Sequence, residues 1–331
     1  MTAWTGAGAG APPRHLAVSA VVCAYQDERW PLTQRAVRSL ASQTRPPEEI
    51  VLVVDHNDRL LRRARAAFPD VVVLHNTGVK GLSGARNTGV SASGGDVVAF
   101  LDDDAEAAPD WLERMLRHYD APDVLGVGGQ VRARWAQGRP AWYPAEFEWV
   151  VGCSYRGQPT SLAEVRNPIG AAMSFRRTVL ETVGGFDVTV GRVGALPVGC
   201  EETELSIRAR RRWPAGRILH DPSAVVEHHV PESRTNVRYL LSRCWSEGIS
   251  KARVARLAGA DAALQSERGY VGRTLTSGVV RELAAVRGRR DMHHLARVAA
   301  MAAGLASAAA GYTRGTLRPP AVISASIEGA P

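Results

Sequence analysis

The apolar positions of the chain fall into two periods that alternate. Residues 18–25 form a short, nearly continuous apolar run, the pattern of a strand buried on both faces, and residues 32–42 place their apolar side chains at helical spacing. Residues 50–54, 71–74 and 97–101 repeat the strand pattern, while 60–68 and 82–92, the latter entered through Gly81, repeat the helical one. This tempo predicts parallel βαβ units with right-handed crossovers, an α/β fold whose Rossmann-like, mostly parallel open sheet is covered by helices on both faces. In such sheets ligands bind beyond the carboxyl ends of the strands. Asp27, Asp55 and the run Asp102, Asp103, Asp104 each stand just past an apolar run, so they are expected to converge on one rim.

Further along, the pattern predicts a helix over 109–119 and a strand near 124–131. An aromatic-rich stretch, 135–155, has little periodicity and reads as a surface insertion. A helix over 176–183 leads to Gly184-Gly185-Phe186-Asp187, a Gly-rich loop fills 191–199, and a helix (201–212) and a strand (224–228) follow before helices take over from Arg234. Charge changes the picture here. Residues 1–231 hold 26 basic and 26 acidic side chains, whereas 232–331 hold 15 and 7, so the whole net charge of +8 lies in the last third. The expected organisation is a loose tail (1–15), an α/β domain (16–231), a basic helical region (232–318) and a second tail (319–331).

The 331 residues are 45% hydrophobic and 22% charged, which excludes disorder across the whole chain. Arg supplies 39 of the 41 basic residues, a skew that speaks for genome composition more than phosphate recognition, and no nucleic-acid partner is expected. Cys23, Cys153, Cys200 and Cys244 show no CxxC spacing and read as reduced, buried thiols. The first residues lack the basic and apolar parts of a signal peptide, so a cytoplasmic location is expected. The uncharged run 298–313 is sixteen residues long, short of the roughly 20 that a spanning helix needs.

Three adjacent carboxylates repel one another unless a cation neutralises them, and oxygen ligands suit Mg²⁺ or Mn²⁺. Asp102 and Asp104 are expected on the same side by strand alternation. The competing reading is a solvated acidic turn. Glu201 and Glu202 open a helix, where carboxylates favour the dipole whatever their role, yet their place after a Gly-rich loop suits a general base beneath a mobile segment. His228 and His229 are either structural or ligands of a Mn²⁺-type site. The segment Gly81-Leu-Ser-Gly-Ala-Arg-Asn-Thr-Gly89 lacks the P-loop form, and Arg86 in it is a candidate contact to a diphosphate. After the first strand comes Ala24-Tyr25-Gln26-Asp27-Glu28 without a glycine, which argues against a dinucleotide site.

In this order the segments 18–25, Val53-Val54-Asp55, Gly84-Ala85-Arg86-Asn87-Thr88-Gly89, Phe100-Leu101-Asp102-Asp103-Asp104, Gly184-Gly185-Phe186-Asp187 and Glu201-Glu202-Thr203-Glu204-Leu205 resemble the signature series of family 2 glycosyltransferases with the GT-A fold. The resemblance covers roughly residues 16–231. It implies an inverting transfer of a sugar from a nucleoside diphosphate donor, UDP favoured, to a hydroxyl of a glycan or lipid-linked acceptor. It implies that Asp55 meets the base of the nucleotide, Asp102 lies near its ribose, and Asp104 with His228 binds Mn²⁺ or Mg²⁺. Ala24, Tyr25, Asp27, Arg86 and Asp103 join the donor site. Glu202 stands where the family usually has the Asp of a Glu-Asp pair, the catalytic base, with Glu201 as the alternative. The stretch 167–175 together with Cys200-Glu201-Glu202 and His228-His229-Val230-Pro231 further resembles a subgroup acting on polyprenyl-phosphate-linked sugars.

Two rivals compete. A haloacid-dehalogenase-type phosphatase would carry its Asp motif after the first strand, not the fourth, and a nucleotide-sugar-binding protein without turnover would have lost the carboxylate pair. In the last third, apolar residues beside Arg238, Arg243, Arg273, Arg281 and Arg297 suit either packing on the α/β domain or peripheral attachment to an anionic membrane on its cytoplasmic face.

Overall fold

The computed structural model describes residues 16–190, 199–288 and 292–317. The expected tails, and all of the Gly-rich loop except Gly199, lie outside the described residues. The alternating pattern of the first hundred residues becomes β1 (Val18–Ala24), α1 (Trp30–Ala41), β2 (Glu49–Val54), α2 (Asp58–Ala67), β3 (Val72–His75), α3 (Leu82–Ala92) and β4 (Val97–Asp102). α1 carries Pro31 in its first turn, where a missing N–H costs nothing, and α2 is capped by Asn57, whose Oδ1 accepts from Leu60 N at 3.0 Å. In α3 the glycines serve packing. A Cβ on Gly89 would sit 2.5 Å from Val21 Cγ1, so this helix approaches β1 more closely than any larger residue allows.

The chain continues through β5 (Ala105–Ala107), α4 (Trp111–Leu116), β6 (Val124–Trp135), β7 (Ala163–Glu164), β8 (Ala172–Arg176), α5 (Arg177–Val183), α6 (Glu201–Arg212) and β9 (Arg217–Val230). The sheet order is β3-β2-β1-β4-β8-β6-β9-β5, with β7 on β9. The expected parallel order holds over β3-β2-β1-β4; beyond it β8 lies antiparallel to β4 and β6, and β9 runs parallel to β6 but antiparallel to β5 and β7. Pro222-Ser223-Ala224 bulges out of β9 between the paired Asp221 and Val225, where Pro222 has no N–H for the ladder.

The aromatic stretch 135–155 is not a surface insertion. Tyr143, Phe147, Val150, Val151 and Cys153 are all 1% exposed or less, and residues Ala145–Val151 form 3-10 turns, whose period matches neither a strand nor an α-helix. This wedge packs against the C-terminal helices α7 (Val237–Ala258), α8 (Ala260–Gly269), α9 (Thr276–Gly288) and α10 (Met292–Leu317), with a π-helical turn at Tyr270–Leu275 between α8 and α9. The Phe147 and Tyr270 rings lie 6.2 Å apart, and Trp149 Nε1 donates to Tyr270 Oη at 3.1 Å. Leu240, Cys244, Leu275 and Met301 belong to the same buried cluster as Val131 and Phe147. Secondary structure changes at Pro231, but the core does not.

α7 and α10 cross at near backbone contact. A Cβ on Gly248 would meet Ala308 O at 2.1 Å, and one on Gly311 would meet Trp245 O at 2.1 Å. The uncharged run is thus part of a 26-residue helix that is long and apolar enough to cross a membrane by length and composition, longer than the run alone indicates. Overpacking costs about 1–3 kcal/mol in general and more against backbone. Gly311→Leu is therefore expected to lower Tm by several degrees, whereas Ala310→Leu, on the exposed side, leaves it within about 1 °C; thermal unfolding by circular dichroism checks both.

Candidate active site

The chain visits β2 and β3 on one side of β1 and then crosses to β4 on the other, and ligands bind at such reversals beyond the strand ends. A cavity of about 1450 Å³ opens there. It brings together Ala24, Tyr25, Asp55, Arg86, Asp102, Asp103, Asp104, Glu201, Glu202 and His228. It leaves out Asp27. After β1 the chain turns at once into a 3-10 turn, and Asp27 Oδ2 accepts from Asn57 Nδ2 at 3.0 Å, against the start of α2. Asp55, at the end of β2, is held by Asn76 Nδ2 (2.6 Å) on Oδ1 and by Gly81 N (3.0 Å) on Oδ2, so the loop before α3 fixes its direction.

The strand itself ends at Asp102; Asp103 and Asp104 form the turn into β5. The turn, not strand alternation, brings Asp102 and Asp104 together. Ligand atoms of Asp102, Asp104 and His228 lie within 4.8 Å of one another. β9 supplies the imidazole because Ala105 pairs with His228 across the antiparallel ladder, and His228 Nε2 stands 3.1 Å from Asp104 Oδ1. His229 is outside this cluster; its backbone N–H donates to Asp104 O at 2.8 Å. Two carboxylates and one imidazole at the base of a wide cavity make a donor set suited to a divalent cation that keeps positions for substrate oxygens.

Two arginines that no sequence signal marks, Arg29 and Arg234, clamp this turn. Arg29 Nη1 lies 2.9 Å from Asp103 Oδ1 and 3.0 Å from Asp104 Oδ2, and Arg234 Nη2 lies 3.7 Å from Asp104 Oδ2. Burial raises the Asp104 carboxyl, but His228 and the two guanidinium groups outweigh it and hold it well below the usual carboxylate range. Burial and the adjacent Asp104 push Asp103 up to about 7 despite Arg29. Burial disfavours charge on His228, yet Asp104 carries its pKa well above the ordinary value. Asp103 Oδ2 is buried without a hydrogen-bond partner, an acceptor still to be satisfied.

α6 begins directly after Cys200, a non-glycine residue in the left-handed region (φ 75°). Such a conformation persists only where its surroundings hold it. Here α7 does so: Cys200 Sγ donates to Glu247 Oε1 at 3.2 Å and Gly199 N donates to Ser250 Oγ at 3.2 Å. The first turn of α6 then faces the cavity. Arg86 Nη1 donates to Glu201 Oε1 at 2.8 Å and Nη2 lies 3.3 Å from Asp102 Oδ1, with the guanidinium flanked by Phe186 and Phe100. Arg86 is committed to carboxylates, and Glu201 with it. Glu202 has no salt bridge among the described residues; burial and the neighbouring Glu201 push its carboxyl up to about 7, the range in which a general base works at neutral pH.

The profile of the Glycosyl transferase family 2 matches residues 19–184, which ends just past α5 and so contains Asp55, Arg86 and the acidic turn. A glucosyl-dolichyl phosphate glucuronosyltransferase of Haloferax volcanii is 40% identical over 238 residues, covering 71% of this chain and 76% of that protein. The succinoglycan biosynthesis protein ExoM of Rhizobium meliloti is 27% identical over 252 residues, 73% and 76% of the two chains. Among solved structures, the mannosyltransferase PcManGT from Pyrobaculum calidifontis, in complex with GDP-Man and Mn²⁺, superposes with a TM-score of 0.59 over 91% of this chain and 88% of its own, at 18% identity, a likeness of fold alone. The sheet is thus that of the GT-A fold, and the chain belongs to the family 2 glycosyltransferases.

Proposed function

We propose that this glycosyltransferase inverts the anomeric centre of a nucleoside diphosphate sugar, UDP-linked in the favoured reading, in one displacement by an acceptor hydroxyl, with Glu202 as base. The observation that carries the reading is the pairing, in one cavity, of a carboxylate free of salt bridges and poised near neutrality with a carboxylate–imidazole cluster. Asp102, Asp104 and His228 would hold Mn²⁺ or Mg²⁺, which when bound stabilises the charge that develops on the departing diphosphate. Asp55 keeps lone pairs for a donor group of the nucleobase, and Ala24 and Tyr25 line the same end of the cavity. Glu202 accepts the acceptor's proton as the hydroxyl oxygen attacks the face opposite the diphosphate, so no covalent sugar–enzyme intermediate forms. Arg86 engages Glu201 directly, at 2.8 Å, which leaves Glu202 as the carboxylate of the pair free to meet the acceptor. The Mn²⁺ and nucleotide sugar of the Pyrobaculum mannosyltransferase support the donor side of this reading, and the lipid-linked acceptor named for the Haloferax relative supports a polyprenyl-phosphate-linked acceptor.

Such an acceptor lives at a membrane. The C-terminal helices expose Val280, Leu283, Met292 and Leu295, and only 22% of the most apolar stretch of α10 is buried. Together with the basic excess of the last third, these residues support peripheral attachment to the anionic, cytoplasmic face of the membrane.

Glu202→Gln is expected to lower kcat by about 10²–10⁴-fold while the KM for donor stays within a factor of about two, since a base acts on the acceptor. A dead Glu201→Gln beside an active Glu202→Gln would reverse the assignment. The base works deprotonated and its pKa is raised, so transfer should increase with pH through about 7 and level off above, measured as kcat from pH 5.5 to 8.5. Asp104→Asn should weaken Mn²⁺ binding by at least tenfold, read by electron paramagnetic resonance of free Mn²⁺. In flotation assays the protein should rise with anionic liposomes at low salt and largely detach at 0.5 M salt; equal recovery with neutral liposomes would leave the basic charge without a role.

A further inference from the structure

The cavity is larger than the 300–1000 Å³ typical of a small-molecule site, and its two ends differ in chemistry. The donor end carries the acidic turn, Asp55 and the carboxylate pair. Beyond Glu202 lies a second compartment with α7 as one wall. Arg243, Glu247 and Lys251, four residues apart, line it from one broad face of that helix. The π-helical turn Tyr270–Leu275, a rare geometry that concentrates at functional sites, lines the same cavity, and α10 contributes Leu305 and Tyr312.

The polar wall is charged and built. Lys251, buried, holds Glu267 at 2.8 Å and Glu247 at 3.5 Å, and Arg166 forks onto the same Glu267 at 2.7 and 2.9 Å. Glu267 is thereby kept ionised, down to about 2, with burial opposing and Lys251 and Arg166 prevailing. Four cations, Arg166, Arg243, Lys251 and Arg273, line this compartment with two carboxylates, Glu247 and Glu267; Glu164, at the rim, is taken by Arg210. The wall is net positive, unlike the donor end. Next to it the surface turns apolar, through Val271 and Leu275 on the π-turn and Leu305 on α10.

We propose that this compartment is the acceptor subsite and that it takes a sugar phosphate ester of a long apolar alcohol. The sugar hydroxyl reaches Glu202, the phosphate lies against the Lys251–Arg243 face, and the hydrocarbon chain runs between the π-turn and α10 towards the exposed apolar side of the C-terminal helices. This assignment rests on the glycosyltransferase reading and adds to it which elements choose the acceptor.

Isothermal titration of the full chain with farnesyl phosphate, farnesol and inorganic phosphate separates the sources of affinity, with UDP and Mn²⁺ titrated in parallel. Farnesyl phosphate should bind at least tenfold more tightly than either farnesol or phosphate. Lys251→Gln should weaken it at least tenfold, with Lys251→Arg recovering part of the loss. Because Lys251 is buried and its loss can unfold the protein, Leu305→Glu, at a partly exposed position, gives a second reading and should weaken farnesyl phosphate without changing the affinity for inorganic phosphate. Farnesyl phosphate binding no better than farnesol, or indifferent to Leu305→Glu, overturns the acceptor subsite even where UDP and Mn²⁺ bind. Absence of UDP and Mn²⁺ binding beside intact farnesyl phosphate binding overturns the donor reading instead.

Discussion

A single buried guanidinium organises this molecule. Arg86, 2% exposed, ties the end of β4 to the first turn of α6 through Asp102 and Glu201, and it does so from the middle of α3, whose Gly89 lets it lie close on the sheet. Desolvating one cation and two carboxylates is costly unless the geometry satisfies them, and removing one partner would strand the others. The compensation explains how so many carboxylates share one cavity. Arg86 absorbs two, Arg29, Arg234 and His228 absorb the acidic turn, and Glu202 is left as the group whose charge is not already committed. Charge balance, more than any motif, separates the base candidate from its neighbour.

Much of this was legible in the chain. Continuous apolar runs announce β1, β2 and β4 because strands covered on both faces have no polar positions, and an acid immediately after such a run is a residue at the sheet's rim. The same rule failed for Asp27, where the chain folds into a 3-10 turn and carries the side chain away from the cavity. Short strands such as β5 and β7 hold too few residues for a period to register. Arg29 and Arg234 were invisible for a different reason: their meaning depends on proximity to Asp103 and Asp104, and nothing local in sequence encodes it.

The aromatic wedge is the larger lesson. Its 3-10 turns give no regular spacing, and so it looked like decoration, yet Phe147 and Tyr143 fill the space between the sheet and the C-terminal helices. Because the helices share that core, α7 can reach back to Cys200 and Gly199 and hold the start of α6. The basic helical region that composition marks off is thus mechanically tied to the candidate site, as the packing alternative has it.

The pairing of β5 with β9 also governs timing. Asp104 leaves the ribosome roughly 120 residues ahead of His228, which at about 5–20 residues per second is a delay on the order of 6–25 s. Until the later strand docks, the acidic turn has only Arg29 to balance it, and the ladder that brings His228 to it is among the most non-local contacts in the sheet. The carboxylate–imidazole cluster is therefore one of the last features to exist as the protein is made, and the nascent chain passes through a stage in which the parallel half of the sheet can form before Asp102, Asp104 and His228 are together.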